Sequence, residues 1–218
     1  MRLHATASIE SSGEAGHVEL IDRLLQERSE GPGDPLSPDL VMLAYPDHDP
    51  SGYLTAASYL NMRTGGRAHS FAVSGEGAAG ATTAVGIAQA YGEAGRSTSS
   101  LLVLAQVPGP GQPVGSAVML HFDGGPGSGT VEIDEQGGEL TTRLAALSPG
   151  GPVLVVTGEE PSGRPDGVTV HRPAGSPGYG GEWLDLARHW SRWQHEYAVV
   201  VVHPAADTGR IVVLRNRP

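Results

Sequence analysis

Apolar positions along this chain follow two rhythms, short continuous runs and helical stripes, which alternate through its first 122 residues. The run Asp39 to Tyr45 has strand length and is apolar almost throughout, the pattern of a strand buried on both faces and best placed in a parallel sheet. Weak alternation predicts an earlier strand over Leu3 to Ile9. Between them, Val18, Ile21, Leu24 and Leu25 share one face of a helix from His17 to Arg28, with Glu14 near its start. Gly31-Pro32-Gly33-Asp34-Pro35 ends that helix. A helix from about Gly52 to Met62, a strand Ser70 to Val73, a helix Ala78 to Glu93, and strands Ser100 to Ala105 and Gly115 to Phe122 follow. The order β-α-β-α-β-α-β-β predicts a covered sheet of the α/β class.

Gly124-Gly125-Pro126-Gly127-Ser128-Gly129 reads as a flexible connection, dividing the chain into residues 1–128 and 129–218 of one globular unit. The second part is an abbreviated version of the first. Strands are expected at Gly129 to Ile133, Pro152 to Val156 and Gly167 to His171. A helix from Gly181 to about His195 precedes a terminal hairpin, Tyr197–Val202 and Arg210–Leu214. Trp183, Leu186, Trp190, Trp193 and Tyr197 recur on one face of that helix, as a core stripe or an interface would.

Composition narrows the chemistry. The 14 basic residues are all arginine, so Schiff-base catalysis, pyridoxal phosphate attachment and the P-loop lysine are excluded. With no cysteine, thiolate nucleophiles, disulfides, iron–sulfur clusters and cysteine-based zinc sites are excluded too. The 32 glycines add chain entropy and suggest modest stability. A net charge of −10 argues against a nucleic-acid or anionic-membrane surface. No apolar run approaches the roughly 18–20 residues of a membrane span, and Met1 to Ala5 lacks a signal-peptide core, so a cytoplasmic location is expected.

The segment His69 to Gly80 carries the most information. A short strand ends in Ser74-Gly75-Glu76-Gly77-Ala78-Ala79-Gly80 and opens directly into a small-residue helix, the arrangement with which α/β enzymes present a nucleophile or hold a phosphate. Gly75, Gly77 and Gly80 satisfy G-x-G-x-x-G between a strand and a helix, so a dinucleotide is one reading. Against it, the next strand ends in Gln106 rather than an acid, and two strands precede the motif. Ser74 and Glu76 flank the turn as a conceivable nucleophile and base, without the G-x-S-x-G elbow or a histidine at local spacing. Asp47-His48-Asp49 and His121-Phe122-Asp123 pair hard ligands, but a metal needs three or more that converge, and His189 and His195 fall on different helix faces. No metal and no cofactor is expected.

Gly77-Ala78-Ala79-Gly80, with Ala84, Ala88, Tyr91 and Gly95 downstream, the strands Leu101 to Ala105 and Gly115 to Leu120, and Pro38-Asp39-Leu40-Val41 upstream resemble the thiolase-like superfamily. The similarity is to its β-ketoacyl synthases in particular, and covers roughly residues 15–122 well and the remainder poorly. It implies a layered αβαβα architecture. The family's cysteine would fall on Ala78, or on Gly77 with a different gap, and neither side chain can attack a thioester. The family's second-half histidine would fall on Thr157, with His203 as a rival match, and Tyr179-Gly180-Gly181 would replace its Gly-Asn motif. The resemblance therefore implies a truncated, catalytically silent relative, akin to a chain-length factor. Such a protein pairs with a ketosynthase subunit or with itself as a dimer, and can meet an acyl carrier protein. Its partner strand would be Ser70 to Val73. A stand-alone enzyme reusing the relic pocket on an acyl or carrier-bound substrate is the alternative.

Overall fold

The computed structural model describes residues 1–30, 36–46, 55–77, 79–109, 112–125, 129–135, 139–174, 180–204 and 209–216. The first half runs β1 (Arg2–Ser12), α1 (His17–Glu30), β2 (Leu40–Tyr45), α2 (Ala56–Arg63), β3 (His69–Ser74), α3 (Ala79–Glu93), β4 (Ser99–Gln106) and β5 (Val114–Asp123). The second runs β6 (Thr130–Asp134), α4 (Leu140–Leu147), a 3-10 turn at Ser148–Gly150, β7 (Val153–Thr157), β8 (Val168–His171), α5 (Gly181–Glu196), β9 (Val199–His203) and β10 (Ile211–Arg215). All strands join one sheet in the order β3-β2-β4-β5-β1-β6-β10-β9-β7-β8. Read from each outer edge inward, both halves give their third, second, fourth, fifth and first strand. The halves are thus a topological repeat, joined where β1 meets β6.

Strand alternation explains the layering. On β2, Leu40, Met42 and Ala44 enter one core cluster while Val41, Leu43 and Tyr45 enter another. Period-two geometry sends these sets to opposite faces. The first cluster is shared by both halves: it also holds Leu154, Val156, Val200, Val202, Val212 and Leu214, together with residues of α3 and α5. These two helices therefore form the middle layer. The second cluster lies under α1 and α2, and a third holds Leu144 of α4 with Val153, Val155, Val199, Val201, Ile211 and Val213. The result is αβαβα. Trp183, Trp190 and Trp193 are all buried in the middle layer, so the aromatic stripe of α5 is core.

The elements differ from expectation in detail. Helix α4 was not anticipated; Leu140, Leu144 and Leu147 pack it on the outer sheet face. Helix α2 begins at Ala56, where Thr55 Oγ1 accepts a hydrogen bond from Ser58 N at 3.3 Å. The second half has no helix between β7 and β8, which is how it is abbreviated. Among the described residues no helix is long and apolar enough to cross a membrane.

Candidate functional site

The turn between β3 and α3 is built by glycine. Gly75 and Gly77 take φ of 79° and 53°, left-handed values that glycine adopts without a Cβ penalty, and reverse the chain between edge strand and helix. Ser74 ends β3 half-buried, on the register of Ser70 and Ala72, opposite the face by which Phe71 and Val73 meet the middle layer. Glu76 is exposed and accepts a 2.7 Å hydrogen bond from Thr83 Oγ1 of α3. Gly80 is buried in the first turn of α3. Ala78 lies outside the described residues, as do Tyr179 and the Asp47-His48-Asp49 cluster.

A second-half residue reaches this turn. Arg210, just before β10, donates from Nη1 to Thr83 Oγ1 at 3.2 Å, so Arg210, Thr83 and Glu76 form a polar chain across the two halves. Arg143 of α4 holds the same end of the second half: its Nε lies 3.0 Å from Asp134 Oδ2, and it also donates to the carbonyl of Gly209. Neither arginine was singled out by the sequence. Their only signal was position, beside a turn and on an unrecognised helix.

Thr157 and His203 end the neighbouring parallel strands β7 and β9 and are register partners. Thr157 Oγ1 lies 3.1 Å from His203 Nδ1, and Glu159 N also donates to that hydroxyl at 3.2 Å. The two rival matches to the family histidine are therefore one contact. Thr157 is 0% exposed and His203 only 9%, and strand alternation puts both on the outer face, with Val153, Val155, Val199 and Val201. Ser74 and Glu76 stand at the end of β3 and in the turn after it, Thr157 and His203 at the ends of β7 and β9. On the middle-layer side, Glu182 of α5 is buried and accepts from Gly158 N at 3.2 Å, fixing the start of α5 to the end of β7.

The dinucleotide reading meets a topological difficulty. A nucleotide crevice forms between strands whose connections diverge. Here the motif follows β3, an edge strand with β2 on one side only. His121 and Asp123 have local partners: Ser99 Oγ lies 2.9 Å from His121 Nε2, and Arg2 Nε 2.7 Å from Asp123 Oδ1. Burial holds the His121 imidazole below its ordinary pKa, with a further contribution from nearby His4. Two grooves lined by described residues lie elsewhere, one between Pro152 and the C-terminal end of α5, the other between β1 and Arg188.

One group was not brought together by sequence reading. His171 at the end of β8 and Asp185 and His189 on α5 place their ligand atoms within 4.8 Å of one another. The i,i+4 spacing of Asp185 and His189 was visible, but the third member comes from another element. Desolvation holds His189 below its ordinary pKa against the opposing pull of Asp185.

No family model and no curated protein matches the sequence. Solved structures do. The chain is similar to 3-oxoacyl-[acyl-carrier-protein] synthase III from Aquifex aeolicus, with 12% identity, a TM-score of 0.60, and 98% of this chain aligned to 99% of that one. For the corresponding synthase III from Pseudomonas aeruginosa the values are 13%, 0.63, and 100% against 98%. A priming β-ketosynthase from a polyketide biosynthetic pathway gives 16%, 0.62, and 100% against 96%. At these identities the likeness establishes the fold, the thiolase-like fold of synthase III enzymes, carried by a chain that has no cysteine.

Proposed function

We propose that this protein is a catalytically silent ketosynthase-like subunit, acting as a chain-length-factor-like partner of a ketosynthase, or of a second copy of itself, in polyketide or fatty-acid-type biosynthesis. The observation that carries the reading is a synthase III-type fold spanning the whole chain without a thiol anywhere in it. Claisen condensation through an acyl-enzyme needs a nucleophile, and a methyl group at position 78 supplies no lone pair. Thr157 and His203 meet in a buried contact at the ends of β7 and β9.

The pairing surface in this reading is the free edge of β3. Its unpaired edge is a template for another strand. His69 and Phe71 of β3 and Tyr91 of α3 form an aromatic group beside it, with ring centroids 5.9 to 6.3 Å apart. Aromatic side chains are enriched in interfaces. An acyl carrier protein is the remaining partner in this scheme, delivering the chain to the active subunit.

Size-exclusion chromatography with light scattering tests the reading on the chain alone and mixed with a ketosynthase from its own biosynthetic assembly. A dimer or a heterodimer is expected. Ala72→Glu, at an exposed position of β3, should dissociate it without unfolding the chain. A protein monomeric in both experiments at micromolar concentration overturns the reading, as does acyl condensation by the isolated protein.

A further inference from the structure

We infer that His171, Asp185 and His189 form a binding site for one borderline first-row divalent cation, Zn²⁺ being the best match. The three ligand atoms converge from two elements, strand β8 and helix α5, and lie within 4.8 Å of one another. His171 faces inward from the last position of β8, because Val168 and Val170 take the opposite, outer face. Asp185 and His189, one turn apart on α5, lie on the same helix face. His171 Nε2 stands 2.8 Å from Asp185 Oδ2. Tetrahedral ligands at about 2.0–2.1 Å from an ion sit roughly 3.3 Å from one another, so that pair opens slightly and the widest pair closes by about 1.5 Å, both within side-chain rotation.

The chemistry of the donors selects the ion. Two imidazoles and one carboxylate suit Zn²⁺, Co²⁺, Ni²⁺ or Cu²⁺, whereas Mg²⁺ and Ca²⁺ require oxygen-rich shells. Three protein ligands leave a fourth position for water or another ligand. The surroundings supply the orienting contacts that metal sites need. Asp185 is 5% exposed, and Arg188 Nη1 stands 3.8 Å from its Oδ1, leaving Oδ2 to face the imidazoles. Trp193, 1% exposed, packs its ring 4.9 Å from that of His171 and 5.0 Å from that of His189, walling the cluster against the core. The simpler account, a His171–Asp185 ion pair, explains two of the three residues. The third residue, His189, holds its ring edge-on to that of His171 at 5.8 Å, so the two imidazoles and the carboxylate share one point of convergence.

Such an ion would tie edge strand β8, the outermost strand of the second half, to the helix of the middle layer. The inference is independent of the partner reading, because binding is measured on the isolated chain. Zn²⁺ titration by calorimetry should show one ion per chain in the tight phase and raise the melting temperature, since the ion binds the folded state. Cu²⁺ should quench tryptophan emission, and Trp193→Phe should remove most of that quenching. His189→Ala, at a half-buried surface position, and Asp185→Asn should each weaken Zn²⁺ at least tenfold, whereas His195→Ala should leave it unchanged. Mg²⁺ or Ca²⁺ in large excess should not displace Zn²⁺. Unaltered Zn²⁺ affinity in His189→Ala, quenching that survives Trp193→Phe, or no saturable binding to the native chain overturns the inference. If Asp185→Asn does not fold, His189→Ala and the Trp193 signal decide the matter.

Discussion

His121 shows how one buried side chain sets a pH dependence. Its Nε2 meets Ser99 Oγ, while Nδ1 is buried without a hydrogen-bond partner among the described residues. Burial disfavours the imidazolium, so the folded chain binds this proton less readily than the unfolded chain does. The unfolded state then carries more protons as pH falls below the ordinary histidine value of about 6.5, and stability must fall with it. Urea unfolding followed from about pH 7.5 to about pH 5 should show this loss, and His121→Gln should flatten the profile over that interval while leaving the shape above it unchanged. Asp39 acts in the same sense at a lower pH. The Thr98 hydroxyl and the backbone N–H groups of Thr98 and Ser99 all donate to its Oδ2 and hold its carboxyl below the usual range. Its contribution is present above about pH 4 and lost as pH falls through the depressed value. Asp39→Ala should cost about 1 kcal/mol near neutral pH, read from the same urea midpoints.

Among elements, the junction of β1 with β6 is the most exacting. Gly129 N donates to Arg215 O, Leu3 N donates to Gly129 O at 2.8 Å, and Val131 N to Met1 O, so three strands meet at this glycine. Its φ is 79°, and a Cβ there would lie 2.7 Å from Trp190 Cζ2 and 3.0 Å from Leu3 O. Gly129→Ala should therefore destabilise the protein by roughly 2–4 kcal/mol, combining backbone strain with overpacking, as a shift in thermal midpoint would show. The sequence exposed this region only as a glycine-rich connection. The strands of the molecule were legible for a physical reason: β2, β4, β7 and β9 are covered on both faces and so carry continuous apolar runs. Helix α4 was not, because only Leu144 of its eight residues is fully buried and the rest of the segment reads as surface. The residues at the ends of strands were legible as positions but not as partners. Thr157 and His203 were named separately, and only the β7–β9 register brings them together. His171, Asp185 and His189 escaped for the same reason, since their convergence depends on how β8 docks on α5.

At the scale of the whole molecule, the repeated strand order sets two helix starts, those of α3 and α5, at corresponding places in the two halves. The first follows the turn where the resemblance puts a missing thiol; the second is fixed by Glu182 to the end of β7. In the proposed reading, the position before α3 keeps the electrostatics of a nucleophile site without the nucleophile. Peptide dipoles at a helix start favour negative charge, and a thiol placed there ionises more readily than a free one. Because the chain has no cysteine of its own, a single introduced thiol is the sole target of alkylation. Ala78→Cys should react with iodoacetamide near neutral pH several-fold faster than Ala94→Cys, an exposed position after the C-terminal end of α3. It should still not support condensation, because Thr157 and Tyr179-Gly180-Gly181 stand where the resemblance puts the family's histidine and Gly-Asn motif. Equal alkylation rates for the two variants would detach position 78 from the role of an emptied nucleophile site, while leaving the fold and the strand order untouched.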